Sequence, residues 1–396
     1  WRDQSPRPHP TVEAAVPLPG PARRTRGPFL PLSPPLPAPA LPVPSCPGAA
    51  PPGASPLVEP YLRLPGRHAR PPFLNAPFQT LYVGGGRPSA LPPPALRTLI
   101  ESCQNLFART ALEEVTLELH PADASPSALA ALRALGITRL SIGAPPSARP
   151  KMDSAPALPR LLRAVRAAEF LSLSVDLYVD RAPPSVWKKR LRRLVALRAP
   201  HVALYEGSVD TDAREAAETE ASGPVHSSFA HAMRFLAANG YQQYELTHFA
   251  RPGHRSHYQE HTYAHGNILG LGPGAASFWW ADRSTPTTAR RWSNVEDSAA
   301  YATRLRNGSA PVSTRESPSQ QELAREYMLL RLRSHAGLDL RVLKNRYGTV
   351  LGRRPTALLD RLRTEGLLHD APERIRLTPR GRLLADAITR RLLRAA

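Results

Sequence analysis

Apolar and polar positions follow two distinct textures along the 396 residues. From Phe78 onward, short apolar, β-rich runs recur at 80–83, 115–119, 139–142, 171–179 and 201–205. Between them the apolar residues fall at helical spacing, over 92–106, 125–135, 157–168 and 185–197. A further helical stretch, 225–239, leads into the run 241–249, and Asn239-Gly240 supplies its stop. Strand, helix and strand at this spacing predict βαβ units on a parallel sheet. Five or six such units predict an α/β chain with a barrel or partial barrel, whose working face lies at the carboxyl ends of the strands. After Trp280 the pattern turns helical. Residues 317–332 carry apolar positions at helical spacing behind Ser317 and Ser319. A helix at 355–363, a short stretch at 366–368 and a turn-bearing segment at 375–381 before a last helix predict a winged-helix arrangement. The predicted domains are 1–75, 76–285 and 286–396.

Residues 1–75 have the other texture. The chain has 46 prolines, roughly twice the usual frequency, and between Pro31 and Pro52 nearly every second residue is one. Proline fixes φ and removes a donor, so the segment is predicted to be low-complexity and disordered or polyproline-like. Proline also interrupts every candidate secretory core and argues against the amphipathic helix of a transit peptide. The first residue is Trp, which reads as a missing or unusual start. The abrupt change near 73–78 is expected to mark a frame or gene-boundary artefact. Two cysteines, Cys46 and Cys103, exclude a disulfide scaffold and any all-cysteine zinc or iron–sulfur site. They fit a reducing compartment. No run approaches the length of a membrane span. A net charge of +20 would attract nucleic acid or an anionic surface. The charges form no long Lys/Arg block, so a charge spread over solvated faces accounts for them as well. The winged segment leaves DNA binding and protein docking both open.

Four segments carry candidate chemistry. Leu81-Tyr82-Val83-Gly84-Gly85-Gly86-Arg87-Pro88-Ser89 is a strand running into a triple-glycine loop, where backbone amides can approach a ligand closely. Glu114-Val115-Thr116-Leu117-Glu118-Leu119-His120-Pro121 is a strand with an acid near its carboxyl end, and Gly136-Ile137-Thr138-Arg139-Leu140-Ser141-Ile142-Gly143 is the next strand. The fourth is Tyr244-Glu245-Leu246-Thr247-His248-Phe249-Ala250-Arg251-Pro252-Gly253 followed by Leu269-Gly270-Leu271-Gly272-Pro273-Gly274-Ala275. In this order, over about 78–396, they resemble the oxygen-independent coproporphyrinogen III oxidase-like family of radical SAM proteins, in its haem chaperone (HemW) branch.

The resemblance implies a partial (β/α) radical SAM-type barrel with a C-terminal helical and winged-helix region. It also implies S-adenosylmethionine, a four-iron (4Fe-4S) cluster, haem as cargo, haem-accepting respiratory proteins as partners and a cytoplasmic location with weak membrane-surface association. Its cofactor-binding positions fall on Gly85, Gly86, Arg87, Glu118, Lys151 and Asp176. Arg87 stands where the family has Thr, Pro145 where it has Gln, and Lys151 where it has Arg. Asp180-Arg181-Ala182-Pro183 replaces a Gly-Leu-Pro-Gly loop. The family's three closely spaced cluster cysteines should precede Gly84, yet only Cys46 lies there, so no radical chemistry is expected of this chain. Loss of a first strand is expected to leave the 81–83 strand as an exposed edge. His254, His257, His261 and His265 crowd together where the haem branch has its own histidine motif. The last three recur every fourth residue, so on a helix they would share a face and could ligate haem iron or a divalent metal. A loop of scattered exposed histidines is the alternative. Two other functions stay open: a porphyrinogen-oxidising enzyme of the same family, and a basic nucleic-acid-binding protein using the winged segment.

Overall fold

The computed structural model describes residues 11–15, 78–107, 112–143, 157–179, 184–206, 224–280, 288–371 and 373–395. In chain order the first elements are β1 (Thr11–Ala15), β2 (Thr80–Gly84), α1 (Pro93–Phe107), β3 (Glu114–Leu119), α2 (Pro126–Ala134), β4 (Arg139–Ile142) and α3 (Ala157–Ala167). Next come β5 (Ser172–Val179), α4 (Pro184–Ala196), β6 (His201–Glu206), α5 (Pro224–Ala238), β7 (Gln242–Gln243), β8 (His248–Ala250) and α6 (His257–Tyr263). Then follow β9 (Ile268–Leu271), β10 (Ala276–Trp280), β11 (Ala289–Asn294), α7 (Ser298–Arg306) and β12 (Val312–Glu316). The last elements are α8 (Gln320–Arg333), β13 (Leu338–Asp339), α9 (Leu340–Tyr347), α10 (Arg353–Thr364), β14 (Arg374–Ile375), α11 (Pro379–Leu383) and α12 (Ala385–Ala395). The chain is α/β, with parallel strands joined by helices, as the period switching predicts.

Contacts divide it into two compact units. The first comprises 1–145, 163–171 and 266–318. Its strands run in the order β12-β11-β10-β9-β1-β2-β3-β4. β9, β1, β2, β3 and β4 are parallel, and β10 to β12 extend them antiparallel. The apolar runs that predicted β2, β3 and β4 are its core: Leu81, Val83, Val115, Leu117, Leu119, Leu140 and Ile142 are all buried. Recurring at every second position, these residues share one face of each strand.

β1 corrects two expectations. Within the segment 1–75, expected to be low-complexity and disordered or polyproline-like, Thr11–Ala15 forms a strand; the rest of the segment lies outside the described residues. β1 pairs in parallel with β2, Thr11 opposite Thr80, and on its other side with β9, Thr11 opposite Ile268. β2 is therefore flanked by β1 and β3 and is no edge. Within β9, Gly270 is compulsory for close packing, because a Cβ there would lie 2.3 Å from the Ala276 carbonyl oxygen.

The second unit comprises 146–162, 172–265 and 319–396. Its strands run β5-β6-β8-β7, with β5 and β6 parallel and β8 antiparallel to both β6 and β7. The run 241–249, read as one extended stretch, is broken between β7 and β8. There the Glu245 carboxylate accepts from the Thr247 backbone N–H and hydroxyl at 2.9 and 2.7 Å, folding the chain into a turn. In the C-terminal part α8 opens on a capping box, with Ser319 and Glu322 bonding each other's backbone, and runs through buried Leu323, Tyr327, Met328 and Leu332. β13 pairs with β14, and Leu368 bridges Leu377, completing the winged-helix-like arrangement.

Candidate functional site

In the first unit the register of β2 on β3 sets Val83 opposite Leu117. The glycine loop after β2 therefore emerges beside Glu118 at the carboxyl ends of the parallel strands, where such sheets hold ligands. The Glu118 carboxylate accepts from the Tyr82 hydroxyl at 2.8 Å and from the Gly85 N–H at 3.2 Å. Gly85 and Gly86 have φ of 72° and 58°, so the loop turns through the left-handed region that glycine enters without penalty. A Cβ on Gly84 would lie 2.6 Å from the Tyr82 ring and 2.9 Å from the carboxylate, so a larger residue there would push these two side chains aside. Three of the predicted residues, Gly85, Gly86 and Glu118, are thus brought together. Arg87 is placed otherwise. Its Nε donates to Asp123 at 2.9 Å, and Ser89 donates to the same carboxylate at 2.6 Å. Burial opposes ionisation of Asp123, yet these two partners hold it below the usual carboxylate range. Burial first, and Arg87 second, push His120 below the ordinary imidazole value.

In the second unit Asp176 lies on β5 and accepts from the Ser174 hydroxyl at 2.8 Å. Lys151 and Cys46, with Pro145 and the 180–183 stretch, lie outside the described residues. Cys103 is buried within α1, and burial pushes its thiol up to about 12. A thiol so protonated is a poor iron ligand.

The histidines do not share one helical face. α6 ends at Tyr263, and His265 lies beyond it in the left-handed region, φ 60°. His257 is exposed at the first turn, whereas His261 and His265 are 8% and 4% exposed. His265 packs on the C-terminal helices: its Nδ1 lies 2.9 Å from the Tyr347 hydroxyl, its Nε2 3.4 Å from Glu326, and its ring stacks on Tyr347. Among the described residues no group of three or more His, Cys, Asp or Glu could hold a metal ion.

The sequence reading assigned no role to Glu245, which proves to be a junction. It is 1% exposed and meets His248 Nδ1 at 2.8 Å and Arg333 Nε at 3.7 Å, and Arg333 reaches on to Asp386 at 2.9 Å. Burial would raise this carboxyl, but His248, Arg333 and Thr247 bring it down to about 2. Tyr263 faces the same carboxylate, and burial together with that charge drives its phenol well above the ordinary value. The signal available in the sequence was the Tyr-Glu-Leu-Thr-His string itself.

Comparison with known proteins decides the family. The chain is 32% identical over 336 residues to the haem chaperone HemW of Mycobacterium tuberculosis, covering 81% of this chain and 82% of that one. The chain belongs to the HemW family. HemW of Escherichia coli is 26% identical over 208 residues, 50% of this chain and 55% of that protein. Residues 319–384 match the HemN C-terminal domain, the stretch that opens at the Ser319 capping box. Among solved structures, the radical SAM enzyme coproporphyrinogen III oxidase (HemN) of Escherichia coli superposes with a TM-score of 0.63 at 20% identity. It covers 80% of this chain and 77% of its own. That likeness shares the HemN fold; the HemW membership rests on sequence.

Proposed function

We propose that the chain binds haem and delivers it to haem-accepting proteins, respiratory ones among them, without performing radical chemistry. The observation that carries this reading is the 32% identity to a haem chaperone over 81% of the chain. A site-differentiated four-iron cluster takes three thiolates close together, and the chain has two cysteines, one a buried, protonated thiol within a helix. The residues present do not fit that cluster. The glycine loop and Glu118 do suit a polar ligand with donors, so weak retention of S-adenosylmethionine at Gly85, Gly86 and Glu118 is part of the proposal; Asp176, in the second unit, is proposed separately as a ligand-contacting carboxylate. Arg87 is outside that set because Asp123 and Arg87 satisfy each other.

His257 is the favoured haem ligand, because it is the exposed member of the trio. Among the described residues no helix is long and apolar enough to cross a membrane. The net charge of +20 suits weak contact with an anionic membrane surface, from the cytoplasmic side. Hemin titration tests the reading. The parent should develop a shifted Soret band that His257→Ala abolishes and that His265→Ala leaves in place. If the variant lacking His257, His261 and His265 binds hemin as tightly as the parent, these histidines are not the site. Anaerobic reconstitution with iron and sulfide, followed by reduction with dithionite in the presence of S-adenosylmethionine, should release no 5′-deoxyadenosine.

A further inference from the structure

The parallel pairing of β5 with β6 sets Ser174 opposite His201 and Asp176 opposite Ala203. Ser174 and Asp176 are two residues apart on one strand, so their side chains leave the same face. The Ser174 hydroxyl lies 2.8 Å from Asp176 Oδ1 and 2.8 Å from His201 Nδ1. His201 Nε2 lies 2.8 Å from the Tyr244 hydroxyl, and that oxygen accepts from the Ser256 backbone N–H at 3.3 Å. Ser174, His201, Tyr244 and Ser256 are all buried.

The direction of every bond follows from donor chemistry. An ionised carboxylate only accepts, so Ser174 donates to Asp176 and must accept from His201 Nδ1–H. A neutral imidazole then has Nε2 as acceptor, so Tyr244 donates to it and accepts from Ser256. Ser174 is consequently no nucleophile, because its proton is committed to the carboxylate rather than to the imidazole. The file of bonds starts at the N-cap of α6, one residue before His257, and ends on the carboxylate.

We infer that Ser174, His201 and Tyr244 are positioning residues: a one-directional hydrogen-bond relay that fixes the rotamer of Asp176 for a ligand and ties it to the first turn of the histidine helix. The inference rests on the proposed reading of Asp176 as a ligand-contacting carboxylate. The relay works only with His201 in the Nδ1–H tautomer. Ser174→Ala removes the acceptor for that proton, and Tyr244, which can donate or accept, then permits the opposite tautomer.

The full chain, labelled with 15N-histidine, provides the test through long-range 1H–15N correlation, with calorimetric titration of S-adenosylhomocysteine alongside. The parent should show His201 as Nδ1–H. Ser174→Ala should reverse the tautomer balance and weaken S-adenosylhomocysteine roughly tenfold, the worth of about one hydrogen bond. Ser174→Thr, which keeps the hydroxyl, should restore both. An Nε2–H tautomer in the parent, or a Ser174→Ala protein with unchanged tautomer and affinity, overturns the relay. If Asp176→Asn binds S-adenosylhomocysteine as the parent does, the assignment of Asp176 and the positioning role fall together. The tautomer then decides alone whether the relay exists.

Discussion

The glycine loop of the first unit and the Glu245 junction of the second are both carboxylate-centred, and they are built in opposite ways. Around the loop the charges sit near solvent: Arg87 is 44% exposed and meets Asp123 at the surface, while Glu118 is met by neutral donors, Tyr82 and a backbone amide. At the junction one carboxylate is buried to 1% among His248, Arg333, Thr247 and Tyr263. A near-surface arrangement can lose a partner at little cost and exchange it for a ligand. A buried one holds elements together and tolerates no vacancy. Arg87, where this chain departs from the radical SAM pattern, belongs to the first kind. The string that resembles the family most specifically builds the second.

Removing each carboxylate measures that difference. Glu245→Ala should cost about 3–5 kcal/mol, because it leaves the buried His248 without its carboxylate and Arg333 with Asp386 alone, and chemical denaturation reads it directly. A loss no greater than that of a surface pair would break the comparison.

Acid sharpens it further. Glu245 is held at about 2 in the folded protein against an ordinary value of 4.5, so its contribution is complete above the unfolded value. It drains away as pH falls toward 2. Folding free energy followed from pH 6 down should therefore fall more steeply in the parent than in Glu245→Gln, whose side chain does not titrate. Parallel curves would show that the junction does not bind its proton differently on folding.

The smallest effect is expected from Asp123→Ala. It should cost less than about 1 kcal/mol, since Arg87 regains water. Hemin binding should be unchanged, because the pair belongs to the loop and not to the histidine helix.

Much of the fold was legible because the strands carry apolar residues at every second position, Leu81 and Val83 on one and Val115, Leu117 and Leu119 on the next, and all of these are buried. β1 was not legible. Thr-Val-Glu-Ala-Ala is five residues long, and proline-rich sequence surrounds it, so only its partners reveal it as a strand. Fourfold spacing of histidines suggested one face, but spacing carries no information about where a helix stops, and α6 stops before His265. Gly85 and Glu118 could be linked through the order of motifs along the chain. Ser174 and His201 could not, because a strand register joins them and their spacing in the chain does not show it.

The position of β1 also bears on how the molecule is made. Among the described residues it is the first strand in chain order, yet it is hydrogen-bonded on both sides, by β2 at Thr80 and by β9 at Ile268. One flank must wait until most of the polypeptide has been synthesised. Contacts of such long sequence separation close slowly and leave strand edges open meanwhile. Nascent chains stalled before Ile268 would therefore carry β1 with only one of its two neighbours.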